Sequence, residues 1–319
     1  MRHFYQLIAG CLLALSVQAQ EWQAIPMADP TIFVENGTYY LTGTYDGGAQ
    51  GFALLASDDL EHWRVPDGSE QLWILQKGQQ TYGEKGFWAP QLLRVDGTYY
   101  LTYTANEQTA LAASSSLTGP FRQTEIRPID GSAHNIDSFL FRDEDGKYYL
   151  YHVRFGNGNR LWVAEFDWST GSIRPETLQQ CIDCTEAWEN TPARPSVPIM
   201  EGPTVVKWDG VYYLFYSAND FRSIDYAVGY ATAPTPYGPW TKQPDCPIIH
   251  RSLVGEPGSG HGDLFQGRDG QFYYVYHVHQ SADRVAPRLT RIVPLLREKQ
   301  GELYRLSVDT TRIIRPVWK

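Results

Sequence analysis

One hairpin, written five times, constrains this 319-residue chain more than any other feature. The copies read ENGTYYLTGT, VDGTYYLTYT, EDGKYYLYHV, WDGVYYLFYS and RDGQFYYVYH. Their turn glycines, Gly37, Gly97, Gly146, Gly210 and Gly270, are spaced 60, 49, 64 and 60 residues apart. Each copy sets Asn-Gly or Asp-Gly between apolar runs, the strongest short-range hairpin signal, because such turns need positive φ. A short apolar segment precedes each one: PTIFV, PQLLRV, SFLF, PTVVKW and DLFQ. A third segment follows the first four: FALLAS, ALAASS, LWVAEF and AVGYAT. Long helical periodicity is missing. Five antiparallel units at this period predict an all-β, five-bladed β-propeller forming a single domain over residues 20–319. A β-sandwich would not repeat one hairpin so regularly, and β-helix repeats are much shorter.

The first nineteen residues are of another kind. MRHFYQLIAGCLLALSVQA has a basic start, an apolar centre and a small-residue end, which predicts a signal peptide cleaved after Ala19 and an exported protein, periplasmic or secreted. IAGC offers a competing reading as a lipoprotein box that would anchor the protein through Cys11, although the apolar stretch before it is short. No later apolar run is long enough to span a bilayer. Export permits disulfides. Cys181 and Cys184 form a lone C-x-x-C, which reads as a local disulfide or two inert thiols, since zinc needs a second pair and redox work a thioredoxin-like context. The formal charge of −9 makes nucleic acid and anionic membranes poor partners. Aromatic residues make up 14% of the chain, which suits a sheet-rich fold or a sugar-binding surface.

In a propeller the first strand of each blade runs beside the central axis, so the residues at its start converge on one end of the channel. Counting back eight or nine positions from each turn glycine gives Asp29, Trp88, Asp137, Glu201 and His261. Acids brought together repel and raise one another's pKa, an arrangement typical of functional sites. Taken singly, Asp29 before Pro30 is an ordinary turn signal and Glu201 an ordinary loop acid. Taken together at matching places of three repeats, they fit glycoside hydrolysis, where one carboxyl protonates the leaving oxygen and another activates water or attacks the anomeric carbon. A third acid can hold the first one's pKa up, and Trp88 offers a face on which a sugar ring stacks. DEDGKYY lacks the downstream Glu of a calcium loop and falls on a repeated hairpin, so it reads as a plain turn. His277 and His279 read as packing or hydrogen-bonding residues.

The motifs ADPTIF, WAP, NIDSFLF and EGPTVV, in this order and spacing, resemble those of family 43 glycoside hydrolases. These are five-bladed propeller enzymes acting on arabinose- and xylose-containing polysaccharides, and the resemblance covers residues 22–319. It implies Asp29 as general base, Glu201 as general acid and Asp137 as the residue that tunes and positions the acid. It also implies an inverting reaction, with the base and acid carboxyls roughly 6.5 to 9.5 Å apart. The implied activity is that of an α-L-arabinofuranosidase on plant polysaccharide side chains. β-Xylosidase, arabinanase and galactosidase activities occur in the same family, and a non-catalytic sugar-binding propeller is the alternative of another class. His261 matches a histidine that in some members helps hold a calcium or sodium ion through water on the axis. A hydrogen-bonded structural histidine is its other reading, and no cofactor is required. Arg288 matches a substrate-contacting arginine, with Arg284 and Arg291 as nearby competitors. Related fructoside-cleaving propellers carry Asn-Asp-Pro-Asn-Gly and Arg-Asp-Pro, where this chain has ADPTI and NIDSF.

Overall fold

The structure, a computed structural model, describes residues 21–48, 50–69, 72–194 and 197–319; the signal segment and Cys11 lie outside them. Each hairpin copy forms the first two strands of one blade. The inner strands are Met27–Glu35, Trp88–Val95, Asn135–Arg142, Met200–Trp208 and Gly260–Gln266, and each pairs antiparallel with the strand that follows its turn. The inner strands pack each on the next, first to second and on to the fifth, which returns to the first. That closed ring makes the five-bladed propeller.

Third strands extend every blade. Those of the second, third and fourth blades fall where the apolar segments predict, at Gln108–Ser114, Gly158–Asp167 and Ala227–Ala233. The first blade departs from the expectation of one continuous strand. FALLAS breaks into Gly51–Ala53, paired with Trp73–Gln76, and Leu55–Ser57, paired with the hairpin. Gly51 allows the close approach to Trp73–Gln76, because a Cβ there would lie 2.2 Å from the Leu75 carbonyl oxygen. The fifth blade has a third strand that its sequence pattern concealed, Leu289–Gln300, reached through an irregular loop after Val278. Gln23–Ala24 pairs with Val317–Trp318, which in turn pairs with His62–Trp63 at the edge of the first blade.

Five apolar clusters fill the five spaces between neighbouring blades. Tyrosines of the repeated YY dipeptides supply much of this packing: Tyr149, Tyr212, Tyr213, Tyr273 and Tyr274 are all buried. Burying one large apolar side chain stabilises the fold by about 1.5–3 kcal/mol, so each interface rests on several such contributions. Asp143, in the DEDGKYY turn, is spent on the interface to the fourth blade, where Tyr212 Oη donates to it at 2.5 Å and Lys207 Nζ at 3.1 Å. Cys181, Cys184 and Cys246 are free thiols, which settles the sequence alternative against a local disulfide. Burial pushes all three thiols up, Cys246 to about 12, so thiolate chemistry is suppressed.

Candidate active site

Every inner strand carries the same irregularity near its start. The ladder shifts register between Ala28 and Thr31, Trp88 and Gln91, Ile136 and Phe139, Glu201 and Thr204, and Gly260 and Asp263. Inside each bulge one residue adopts positive φ: Asp29 at 47°, Ala89 at 44°, Asp137 at 55°, Gly202 at 60° and His261 at 41°. A bulge re-aims a side chain without ending the strand, and these five lie around the axis. They are the true equivalents of one another. Trp88 and Glu201 therefore sit one residue before the bulge, level with Ala28, Ile136 and Gly260, which corrects the match made by counting from the turn. The third and fifth blades have longer turns, residues 143–147 and 267–271 against two residues in the others, which sets their glycines one residue further from the bulge and accounts for the offset.

The bulges are tied together by a repeated hydrogen bond. The Ala89 N–H donates to Thr44 Oγ1 at 2.8 Å, Asp137 N–H to Thr104 Oγ1 at 3.0 Å, and His261 N–H to Ser217 Oγ at 2.8 Å. Asp29 N–H closes the ring by donating to His277 Nδ1 at 3.1 Å. In each case the acceptor belongs to the second strand of the preceding blade. The third blade has Val153 at this place, opposite Ile136, and Val153 has no acceptor to offer. The Gly202 N–H is taken instead by Asp137 Oδ2 at 3.3 Å, so Asp137 is fastened to the residue that follows Glu201.

Asp29, Trp88, Asp137, Glu201, His261 and Arg288 all line one open pocket of about 1160 Å³. Of the three candidate arginines, Arg288 is the one on this pocket, with Nη1 3.2 Å from Asp29 Oδ1 and Nη2 2.9 Å from Asp46 Oδ1. Arg291 is bound to Glu256 and Arg284 to the Ala286 carbonyl. His261 Nδ1 lies 3.3 Å from Asp29 Oδ1 and 3.8 Å from Asp137 Oδ2. Among the described residues no three His, Cys, Asp or Glu side chains converge as a metal set, so an ion at His261 would take its other ligands from water.

The carboxyls are shifted in opposite directions. Burial alone would raise Asp29, but the Arg288 guanidinium first, then His261 and His277, hold it well below the usual carboxylate range. Glu201 goes the other way. Burial, reinforced by the charge of Asp29, lifts it to about 7, against a hydrogen bond that Tyr226 Oη donates to Oε1 at 2.7 Å. Asp137 is pushed well above its ordinary value by burial and by the nearby Glu201 and Asp29, and it titrates together with Glu201. One carboxylate is thus ready to accept a proton while a buried acid pair keeps one.

Several contributors to this pocket had no sequence signature. Tyr226, fully buried, precedes the third strand of the fourth blade and stacks on His277 with ring centroids 5.6 Å apart. His277 proves to be a hydrogen-bonding residue, as its place suggested, and the backbone it holds is that of Asp29. Asp46, Phe155 and Phe221 also face the pocket. Four large aromatic side chains are exposed among the described residues, Trp22, Trp88, Phe155 and Phe221, and the last three line this pocket. Exposed apolar rings gathered around polar groups mark a ligand site.

Three buried carboxyls beside the axis of a five-bladed propeller, on a pocket with exposed aromatic rings, fit a carbohydrate-cleaving site. Residues 24–299 match the family described as glycosyl hydrolases family 43, and the chain belongs to that family and is a glycoside hydrolase. Its backbone is similar to the crystal structure of an endo-1,4-β-xylanase from Bacteroides thetaiotaomicron, with 38% identity, a TM-score of 0.86, and coverage of 94% of this chain and all of that one. It is 26% identical to a β-D-galactofuranosidase of Aspergillus niger over 88% of this chain and 82% of that one. It is 27% identical to a β-xylosidase of Xylanibacter ruminicola, over 79% and 87% of the two chains.

Proposed function

We propose that the protein is an exported, inverting α-L-arabinofuranosidase that removes arabinofuranosyl residues from plant polysaccharide side chains. The observation that carries the mechanism is the placement of Asp29 and Glu201 on one pocket, Asp29 paired with the Arg288 guanidinium and Glu201 buried. Glu201 gives its proton to the glycosidic oxygen as the bond to the anomeric carbon breaks. Asp29 takes a proton from the water that attacks the opposite face, and the new carbon–oxygen bond forms with inverted configuration. Asp137 positions the acid through the Gly202 N–H, Arg288 keeps Asp29 ionised and borders the sugar, and Trp88 supplies a stacking face. A calcium or sodium ion held through water at His261 belongs to this reading and would steady the imidazole beside Asp29. The sugar assignment draws on the relatives. An arabinofuranosyl group shares its ring size with a galactofuranoside and its five carbons with a xyloside.

The test is a panel of aryl α-L-arabinofuranoside, β-D-xyloside and β-D-galactofuranoside substrates, with the anomer released from a natural disaccharide followed by NMR. The arabinofuranoside should give the highest kcat/KM, and the first sugar seen should have the opposite anomeric configuration to the substrate. A higher kcat/KM on xyloside would move the assignment to β-xylosidase. Retained configuration would reject Asp29 as a base acting through water. Metal analysis and chelation of the purified protein test the ion, and the mature N-terminus found after secretion tests cleavage at Ala19.

A further inference from the structure

The active-site pocket does not end at Phe155. The exposed ring of Phe155 forms part of its wall and part of the wall of a second groove of about 930 Å³ on the third blade, which Arg154, Arg160, Trp162 and Asp183 also line. His134 holds the Phe155 ring edge-on at 6.0 Å between centroids, and Glu107 braces His134 at 2.9 Å. The groove leaves the pocket on the side of the acid. Asn159 and Ile199, bridged to one another, line the pocket there, and Ile199 lies two residues before Glu201. A general acid stands on the leaving-group side of the bond it protonates, so whatever extends from the leaving oxygen is directed over Phe155.

We infer that this groove is a binding subsite for the leaving-group side of the substrate, taking a neutral pentose chain that runs over Phe155 to Trp162. The inference rests on Glu201 being the acid. Charge in the groove favours a neutral ligand. Arg154 already pairs with Asp130 at 3.0 Å and lies over the Trp162 ring at 6.0 Å, and Arg160 pairs with Asp183. Among the described residues lining the groove both guanidinium groups are thus already neutralised by carboxylates, whereas paired guanidinium and carboxylate groups can still exchange hydrogen bonds with hydroxyls. The aromatic rings supply the apolar surface that sugar faces cover. The protein therefore grips its substrate beyond the cleaved residue, and longer chains should be better substrates.

The experiment measures kcat/KM for wild type, Phe155→Ala, Trp162→Ala and Trp162→Phe on an aryl arabinofuranoside and on two oligosaccharide series of two to six units. One series is α-1,5-linked arabino-oligosaccharides and the other arabinofuranose-substituted xylo-oligosaccharides, so the arms separate the two polysaccharide sources. In wild type kcat/KM should rise with length in one series. Trp162→Ala should flatten that rise, its loss on the longest chain exceeding its loss on the aryl substrate about tenfold, equivalent to ~1.4 kcal/mol. Trp162→Phe should restore most of it. Equal losses on short and long substrates, or none on either, would overturn the subsite. If the wild type cleaves no glycoside, the catalytic reading fails separately. Calorimetric titration with the same oligosaccharides then decides, and affinity that ignores Trp162 rejects the groove.

Discussion

Asp137 accepts the backbone N–H of Gly202 at 3.3 Å across the boundary between the third and fourth blades. The contact exists because Val153 occupies the one second-strand position of the ring that has neither hydroxyl nor imidazole. Val153→Thr should give the Gly202 N–H a local partner and release Asp137. One such hydrogen bond contributes about 1 kcal/mol, so kcat should fall roughly fivefold with KM little changed. Steady-state kinetics beside a thermal melt would show whether the loss is catalytic. Wild-type kcat in a folded variant would mean that Asp137 works without this bond.

The acid and base should be separable by substitution. Asp29→Asn and Glu201→Gln should each lower kcat on a natural disaccharide by about 10² to 10⁴. On an aryl substrate whose leaving group needs little protonation, Glu201→Gln should lose far less than Asp29→Asn. Equal losses on both substrates would contradict the division of roles.

The pH profile follows from the same shifts. Activity should fall on the alkaline side near pH 7, as the buried pair containing Glu201 gives up its proton, and should persist below pH 5 because Asp29 stays ionised there. Tyr226 Oη stabilises the charged form of Glu201, so Tyr226→Phe should move the alkaline limb to higher pH. An unmoved limb would show that another group sets it.

Stability should carry the same signature. A carboxyl raised in the folded state stabilises fully below its unfolded pKa and loses that contribution as pH rises through the folded value. For Glu201 the window runs from 4.5 to about 7. Denaturant titrations should show Glu201→Gln gaining on wild type across that window. Asp29 is lowered, so its contribution is present at neutral pH and disappears only as pH falls through its depressed folded value.

The blade interfaces should dominate global stability. Leu214 is fully buried between the third and fourth blades, and Leu214→Ala should cost about 2–5 kcal/mol, read as a shifted denaturant midpoint. An effect below ~1 kcal/mol would mean that the neighbouring aromatics collapse into the space.

Blade number and hairpin positions were legible because Asn-Gly and Asp-Gly turns carry their own backbone requirement. Asp29, Asp137 and His261 could be found by counting because their strands are repeats. What the count missed has a physical reason. A bulge shifts register by one residue and leaves no residue type behind, since Asp, Ala, Asp, Gly and His all adopt the same positive φ here. Tyr226, Asp46 and Phe221 come from segments outside the hairpin strands, whose course depends on tertiary contacts, and Phe155 from the end of the third blade's second strand, past the repeated residues. The hydroxyls of Thr44, Thr104 and Ser217 did follow a rule, seven residues after the turn glycine, and His277 and Val153 fall on that same rule. Long-range meaning was therefore present in the sequence at positions that look like ordinary strand residues.

The five bulges also determine how such a site can be rewritten. Each is an address at which a side chain is aimed at the axis while the ladder around it stays paired, and two addresses, Ala89 and Gly202, carry no functional group. Ala89 already holds a backbone conformation that Asn and Asp tolerate better than Ala does. A new polar group could be installed between Asp29 and Asp137 there with no change of scaffold, so reactivity in this ring is modular, one blade at a time.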